Sequence, residues 1–170
     1  MLSIDVAWRP HAIKEAANYI AQRHGAVIEA HKRLKAIDPS FVYFQSWVAA
    51  TYRELGDYPP ALRECETAAK SLNGAPYGLS LTFLGMGREQ EARDIMRRLD
   101  EHARVRYVPF VTRAIVHAAA GNRDEALAPL QQGIDRKENF IFALRALPEM
   151  APLVKDPSAL RIIDQYGPRR

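Results

Sequence analysis

Residues 44–72 read FQSWVAATYRELGDYPPALRECETAAKSL, and the order of apolar, small and turn-forming residues in this stretch decides the fold. Trp47, Val48, Tyr52 and Leu55 follow one another at spacings of one, four and three, so they gather on one face of a helix. Gly56-Asp57 breaks that run: glycine accepts the left-handed backbone that ends a helix, and an aspartate can accept from the free amides that open the next. Pro59 and Pro60 then fall in a first helical turn, where the amides they lack would have had no partner. The second helix is expected to bury Ala61, Leu62, Cys65, Ala68 and Leu72. A helical hairpin cannot hide its apolar faces alone, so this one implies neighbours of the same kind.

The signature returns downstream. REQEARDIMRRL (88–99) places Ala92, Ile95, Met96 and Leu99 in one stripe behind Gly87, and AIVHAAAGNRDEALAPLQQGI (114–134) repeats the small-residue helix, the turn and the next helix start. The turn glycines Gly56, Gly87 and Gly121 are 31 and 34 residues apart, and Ala61, Ala92 and Ala126 each follow their glycine by five. Upstream, AIKEAANYIAQ (12–22) and AVIEAHKRLKAI (26–37) have helical periodicity and form a first, irregular hairpin, opened near Pro10 and closed by Asp38-Pro39.

A helical hairpin of this period resembles the tetratricopeptide repeat. Ala49, Tyr52, Gly56, Tyr58, Ala61 and Ala68 match its pattern in the clearest unit; Phe83, Gly87 and Ala92, then Ala114, Gly121 and Ala126, repeat part of it. The resemblance implies an all-α fold, a right-handed superhelical array of antiparallel helix hairpins with a C-terminal capping helix. One domain of 1–170 would then comprise a first hairpin 1–40, repeats 41–73, 76–104 and 107–137, and a cap 139–167. The final third, with Pro148, Leu153, Asp156 and Pro157, is similar to the closing repeat and cap that follow bacterial adenylate cyclase, winged-helix regulator and serine/threonine kinase domains. That likeness covers about residues 25 to 167 and transfers no catalytic residue.

Several positions depart from the pattern. Pro129 sits well inside a helix, where proline costs about 3 kcal/mol and predicts a kink or an early break. His117 replaces an aromatic residue and Arg113 an apolar one; Arg113 either lays its stem on the core with its head in water or makes an anion or carboxylate contact on the groove. Asn122 and Glu125 have the spacing of a capping box, and Asp156 is expected to cap a last helix whose Leu160, Ile163 and Tyr166 form the buried stripe.

At 170 residues, with 48% hydrophobic and 26% charged residues, the chain can build a packed core and does not fit disordered or fibrous classes. No apolar run approaches the roughly 18 residues that suggest a membrane span. The opening MLSIDVAWRP does not look like a secretory leader, so a cytoplasmic location is expected. Cys65 is the only cysteine and excludes an internal disulfide; His24 and His31, seven apart, lack a third ligand, so neither metal nor cofactor is expected. The net charge is +4, yet the six arginines and five acids from Arg88 to Arg106 are mixed rather than segregated. Glu89 with Arg93, Asp94 with Arg98 and Arg97 with Glu101 read as helical ion pairs on a solvated face, which makes nucleic acid an improbable partner.

No convergence of nucleophile, base and acid supports an enzyme. The resemblance implies instead a non-catalytic scaffold that binds a partner protein or peptide in a concave groove lined by first helices. Positions ten and six before each turn glycine select Ser46 and Ala50, Tyr77 and Leu81, and Val111 and Ile115, flanked by Tyr43 and Arg53. The competing expectations are that Tyr77, Leu81, Val111 and Ile115 are core, covered by the N-terminal helices or by a second copy in a homodimer, and that the chain is a regulatory or sensory module separated from a cyclase, kinase or transcription-regulator effector.

Overall fold

The computed structural model describes residues 9–39, 45–71, 77–138 and 141–166. These residues are helical throughout, joined by turns, with no strand among them. Two compact units divide the chain, Met1–Met86 and Gly87–Arg170. The first holds α1 (Arg9–Ile20), α2 (His24–Ile37), α3 (Gln45–Glu54), α4 (Tyr58–Ser71) and α5 (Tyr77–Gly85). The second holds α6 (Glu89–Val105), α7 (Phe110–Ala119), α8 (Arg123–Asp135), two 3₁₀ segments (Ile141–Ala146 and Pro148–Met150), α9 (Ala151–Val154) and α10 (Pro157–Asp164). The division falls between α5 and α6, inside the stretch 76–104 that the sequence reads as one repeat.

The turns repeat one geometry. Gly56, Gly87 and Gly121 all have left-handed backbones, with φ of 73°, 72° and 77°. Around each, one helix ends two residues before the glycine and the next begins two residues after it. The Gly56 amide donates to Arg53 O at 3.0 Å and Asp57 N to Tyr52 O at 2.9 Å; Gly121 and Asn122 make the same bonds to Ala118 O and His117 O at 3.0 and 2.9 Å. This is the Schellman arrangement, which satisfies carbonyls that the helix end would otherwise leave free. The hairpin expected to be irregular has it too. Gln22 takes the left-handed conformation (φ 54°) 34 residues before Gly56, with Gln22 N bonded to Tyr19 O at 2.9 Å and Arg23 N to Asn18 O at 2.8 Å. Five residues after each turn stands a wholly buried small or branched side chain: Val27, Ala61, Ala92 and Ala126.

In the first unit, α1 packs on α2 and α3, and α3 on α4 and α5. Tyr19 is fully buried, its ring centroid 5.2 Å from that of Trp47. Val48, Ala49, Ala50 and Thr51 are buried on α3, and the Thr51 hydroxyl donates to Trp47 O at 2.8 Å, which removes the cost of burying it. Leu55, expected on the buried face, is 53% exposed because α3 has already ended at Glu54. Two glycines let α4 and α5 approach. A Cβ on Gly78 would lie 2.8 Å from Cys65 Sγ, and one on Gly85 would lie 2.9 Å from the Tyr58 ring, whose hydroxyl donates to Gly85 O at 2.6 Å. Leu72 and Tyr43 lie outside the described residues. At the far end of α2, Asp38 leaves helical geometry as expected before Pro39.

In the second unit, α7 and α8 pack as a pair, and a Cβ on Gly133 would lie 2.8 Å from Val111 Cγ2. Pro129 does not break α8, which runs unbroken from Arg123 to Asp135; the proline ring is buried beside Leu130, so its packing offsets the amide bond it cannot make. Asn122 makes no side-chain capping bond, contrary to the expected capping box. A more distant residue caps α7: the Glu138 carboxylate accepts from Phe110 N and Val111 N, both at 2.9 Å, and from the Tyr107 hydroxyl at 2.6 Å. Ile141, Leu144, Leu147, Met150 and Leu153 are buried along the closing segments, and α10 packs on α8. Asp156 caps α10 as expected, accepting from Ser158 N at 2.8 Å and Ala159 N at 3.0 Å. The buried stripe of that helix is Ala159 and Ile163; Leu160 is half-buried and Tyr166 is exposed. The Arg123 guanidinium, opening α8, also holds Asp156, so one carboxylate ties two helix starts together.

Candidate functional site

Helix α6 carries the arginine-rich run. Its apolar stripe, Ala92, Met96 and Leu99, is buried. Beside it Arg93, Met96, Arg97, Asp100, Glu101 and Arg104 follow at spacings of three, one, three, one and three, which puts them on one flank of the helix. This flank, with His117 of α7 and Asn122 of the following turn, lines a cavity of about 440 Å³. Met96 supplies its apolar lining and the arginines its charge.

The carboxylate in the wall is already engaged. Asp100 Oδ1 accepts from Arg113 Nε at 3.2 Å and lies 3.1 Å from its Nη2, while Oδ2 lies 3.6 Å from His117 Nε2. Arg113 is therefore engaged by a carboxylate of its own chain. His117 is largely buried and its Nδ1 has no hydrogen-bond partner. The arginines are tied more loosely: Arg93 to Glu89 at 3.1 Å and Arg97 to Asp94 at 3.2 Å, both exposed pairs on the same helix. Of the three pairs expected on α6, Glu89 with Arg93 forms; Arg97 reaches back one turn to Asp94 in place of Glu101, and Asp94 is thus shared with it and not with Arg98. Exposed pairs of this sort contribute about 0 to 1 kcal/mol. Arg104 has no ion-pair partner among the described residues.

The eight groove residues read from the sequence sit differently from one another. Tyr43 lies outside the described residues. Ser46, Ala50 and Arg53 are on α3, Tyr77 and Leu81 on α5, Val111 and Ile115 on α7. Ala50, Leu81 and Val111 are buried, at 4%, 5% and 6% exposure, so they present no open apolar surface. The first two sit on helices that pack against one another, and Val111 fills the space left by Gly133. Ser46, Arg53, Tyr77 and Ile115 are half-buried. Counting back from a turn finds the helix but mixes its open and covered flanks.

Other titratable groups are held as packing. His31 is buried with Nε2 3.4 Å from Glu64 Oε1, whereas His24 is half-buried. Burial pushes the Cys65 thiol above its ordinary value, against a hydrogen bond with Thr82 that lowers it. Among the described residues no three His, Cys, Asp or Glu side chains converge as metal ligands, and no helix is long and apolar enough to cross a membrane. Set against known protein families, characterised proteins and solved structures, the chain matches none of them.

Proposed function

We propose that this chain is a non-catalytic interaction module of the tetratricopeptide type, an array of helical hairpins with a closing helix that holds a segment of another protein. The observation that supports it is the recurrence of one turn geometry at residues 22, 56, 87 and 121, each followed five residues later by a wholly buried side chain. A chain built from such hairpins gains its use from surfaces that successive units present, and helical repeats characteristically present them to extended or helical peptides. Burial of Ala50, Leu81 and Val111 shifts the binding surface away from an apolar stripe and toward polar flanks.

Panning a random dodecapeptide library on the immobilised folded chain tests this reading. A recurrent motif is expected, whose synthetic peptide binds the folded chain and loses binding when the chain is unfolded by heat. If the folded chain enriches nothing beyond what the unfolded chain enriches, the reading fails.

A further inference from the structure

We infer that the α6–α7 cavity is a receptor for an acidic peptide, taking a glutamate or aspartate side chain of a bound segment between Arg93, Arg97 and Arg104. The inference rests on the interaction-module reading and names the chemistry of its partner. Its basis is the imbalance of satisfied and unsatisfied charge in the wall. Three arginines line the cavity, beside Asp100 and Glu101. Asp100 is already claimed by Arg113 and approached by His117, so it does not compete for the lining arginines. Arg93 and Arg97 are held by exposed partners one turn away on the same helix, Arg93 by Glu89 and Gln90 and Arg97 by Asp94, and Arg104 has no ion-pair partner among the described residues. Exposed pairs are weak and exchange readily, whereas a carboxylate brought into a recess between planar guanidinium forks accepts two parallel hydrogen bonds with less solvent to screen them.

The size and the mixed lining favour a peptide over a nucleic acid. A recess of about 440 Å³ lies within the range of ordinary ligand sites, and Met96 is among the residues that line it, an apolar side chain that can cover the methylenes of an acidic one. Glu101 and Asn122 add acceptors at the rim. A peptide offers backbone N–H donors to such acceptors beside its carboxylate. A nucleic-acid strand offers a row of phosphates, which Glu101 repels and which binds through evenly spread positive charge.

The test uses the full chain and a fluorescein-labelled peptide of alternating glutamate and alanine, read by anisotropy at physiological ionic strength. The same peptide with glutamine for glutamate, and an oligodeoxythymidine of equal length, are the comparison probes. The glutamate peptide is expected to bind and the glutamine peptide to bind at least about tenfold more weakly, as loss of charge-assisted hydrogen bonds requires. Arg97→Gln with Arg104→Gln should weaken the glutamate peptide by about tenfold, while Arg33→Gln with Lys70→Gln, an equal change of net charge on α2 and α4, should leave it unchanged. Arg104→Gln alone, which breaks no ion pair among the described residues, replaces the double variant if circular dichroism shows lost helix. Equal loss in the two double variants, tighter binding of the oligonucleotide, or no binding of the glutamate peptide would each overturn the inference. Library peptides that bind the parent and the Arg97→Gln/Arg104→Gln variant alike would sink the cavity and leave the interaction module standing.

Discussion

The hairpins α3–α4 and α7–α8 share a turn and differ in what holds them. Both end their first helix in the same two backbone bonds around a left-handed glycine, and both bury an alanine five residues later. Around α4, close approach does the holding: Gly78 makes room for Cys65 and Gly85 for Tyr58. Around α7 and α8 there is one such approach, Gly133 on Val111, together with charged side chains reaching across longer sequence separations: the Glu138 carboxylate to the amides of α7, Arg123 to Asp156 and Arg113 to Asp100. One hairpin geometry can therefore be secured by shape or by charge, and the two should fail under different insults.

The largest effect is expected from shape. Gly78→Val would drive a branched side chain into Cys65 Sγ, which already lies 2.8 Å from where a Cβ would be, and should destabilise the first unit by about 2 kcal/mol, as overpacking does. Chemical denaturation followed by circular dichroism measures it. In a Cys65→Ala background much of that loss should return, because the obstacle is gone; equal losses in both backgrounds would show that the close approach is not the cause.

Acid should sharpen the contrast by touching the second unit. The Arg123 guanidinium, followed by the Ala159 amide, holds the Asp156 carboxyl down from 3.8 to about 2. A carboxylate with a lowered folded value stabilises the fold fully above its unfolded value and loses that contribution as pH falls through the folded one. The anchoring of α10 should thus weaken between about pH 4 and pH 2. Protection of the α10 amides, taken relative to intrinsic exchange at each pH, should fall over that window, and Asp156→Asn should show the reduced protection already at neutral pH. Protection that does not change with pH in the parent would mean that apolar contacts of Ala159 and Ile163 hold α10 without the ion pair.

The smallest effect concerns the turn both hairpins share. Gln22 adopts a left-handed backbone that strains a side chain by about 1 to 2 kcal/mol, part of which glycine gives back through the greater freedom of the unfolded chain. Gln22→Gly should raise stability by about 0.5 kcal/mol, whereas Gly56→Ala at the equivalent turn should lower it by about 1 kcal/mol. Equal signs for the two would deny that the turns are equivalent.

The turns at Gly56, Gly87 and Gly121 were legible because glycine is the residue that left-handed backbone selects. Gln22 was hidden for the same reason: nothing about glutamine announces that conformation, and only the 34-residue step back from Gly56 points to it. Pro129 misled in the other direction, since its local cost is offset by burial that depends on the rest of the fold. Asn122 had the residue type of a cap, while the carboxylate that does cap α7 comes from Glu138, 27 and 28 residues beyond the amides it meets. The candidate site was half visible. The spacing of Arg93, Arg97 and Arg104 along one flank is plain in the sequence, but the recess exists only where His117 and Asn122 face that flank, and Asp100 is neutralised by an arginine on another helix.

The cap supplied by Glu138 also sets an order for events at the ribosome. Phe110 N and Val111 N emerge well before the carboxylate that will receive them, so α7 enters solution with its first amides unclaimed and its partner helix unmade. Since helices this short are marginal alone, α7 gains its partner helix and its cap together, only once α8 and the residue just past it have emerged.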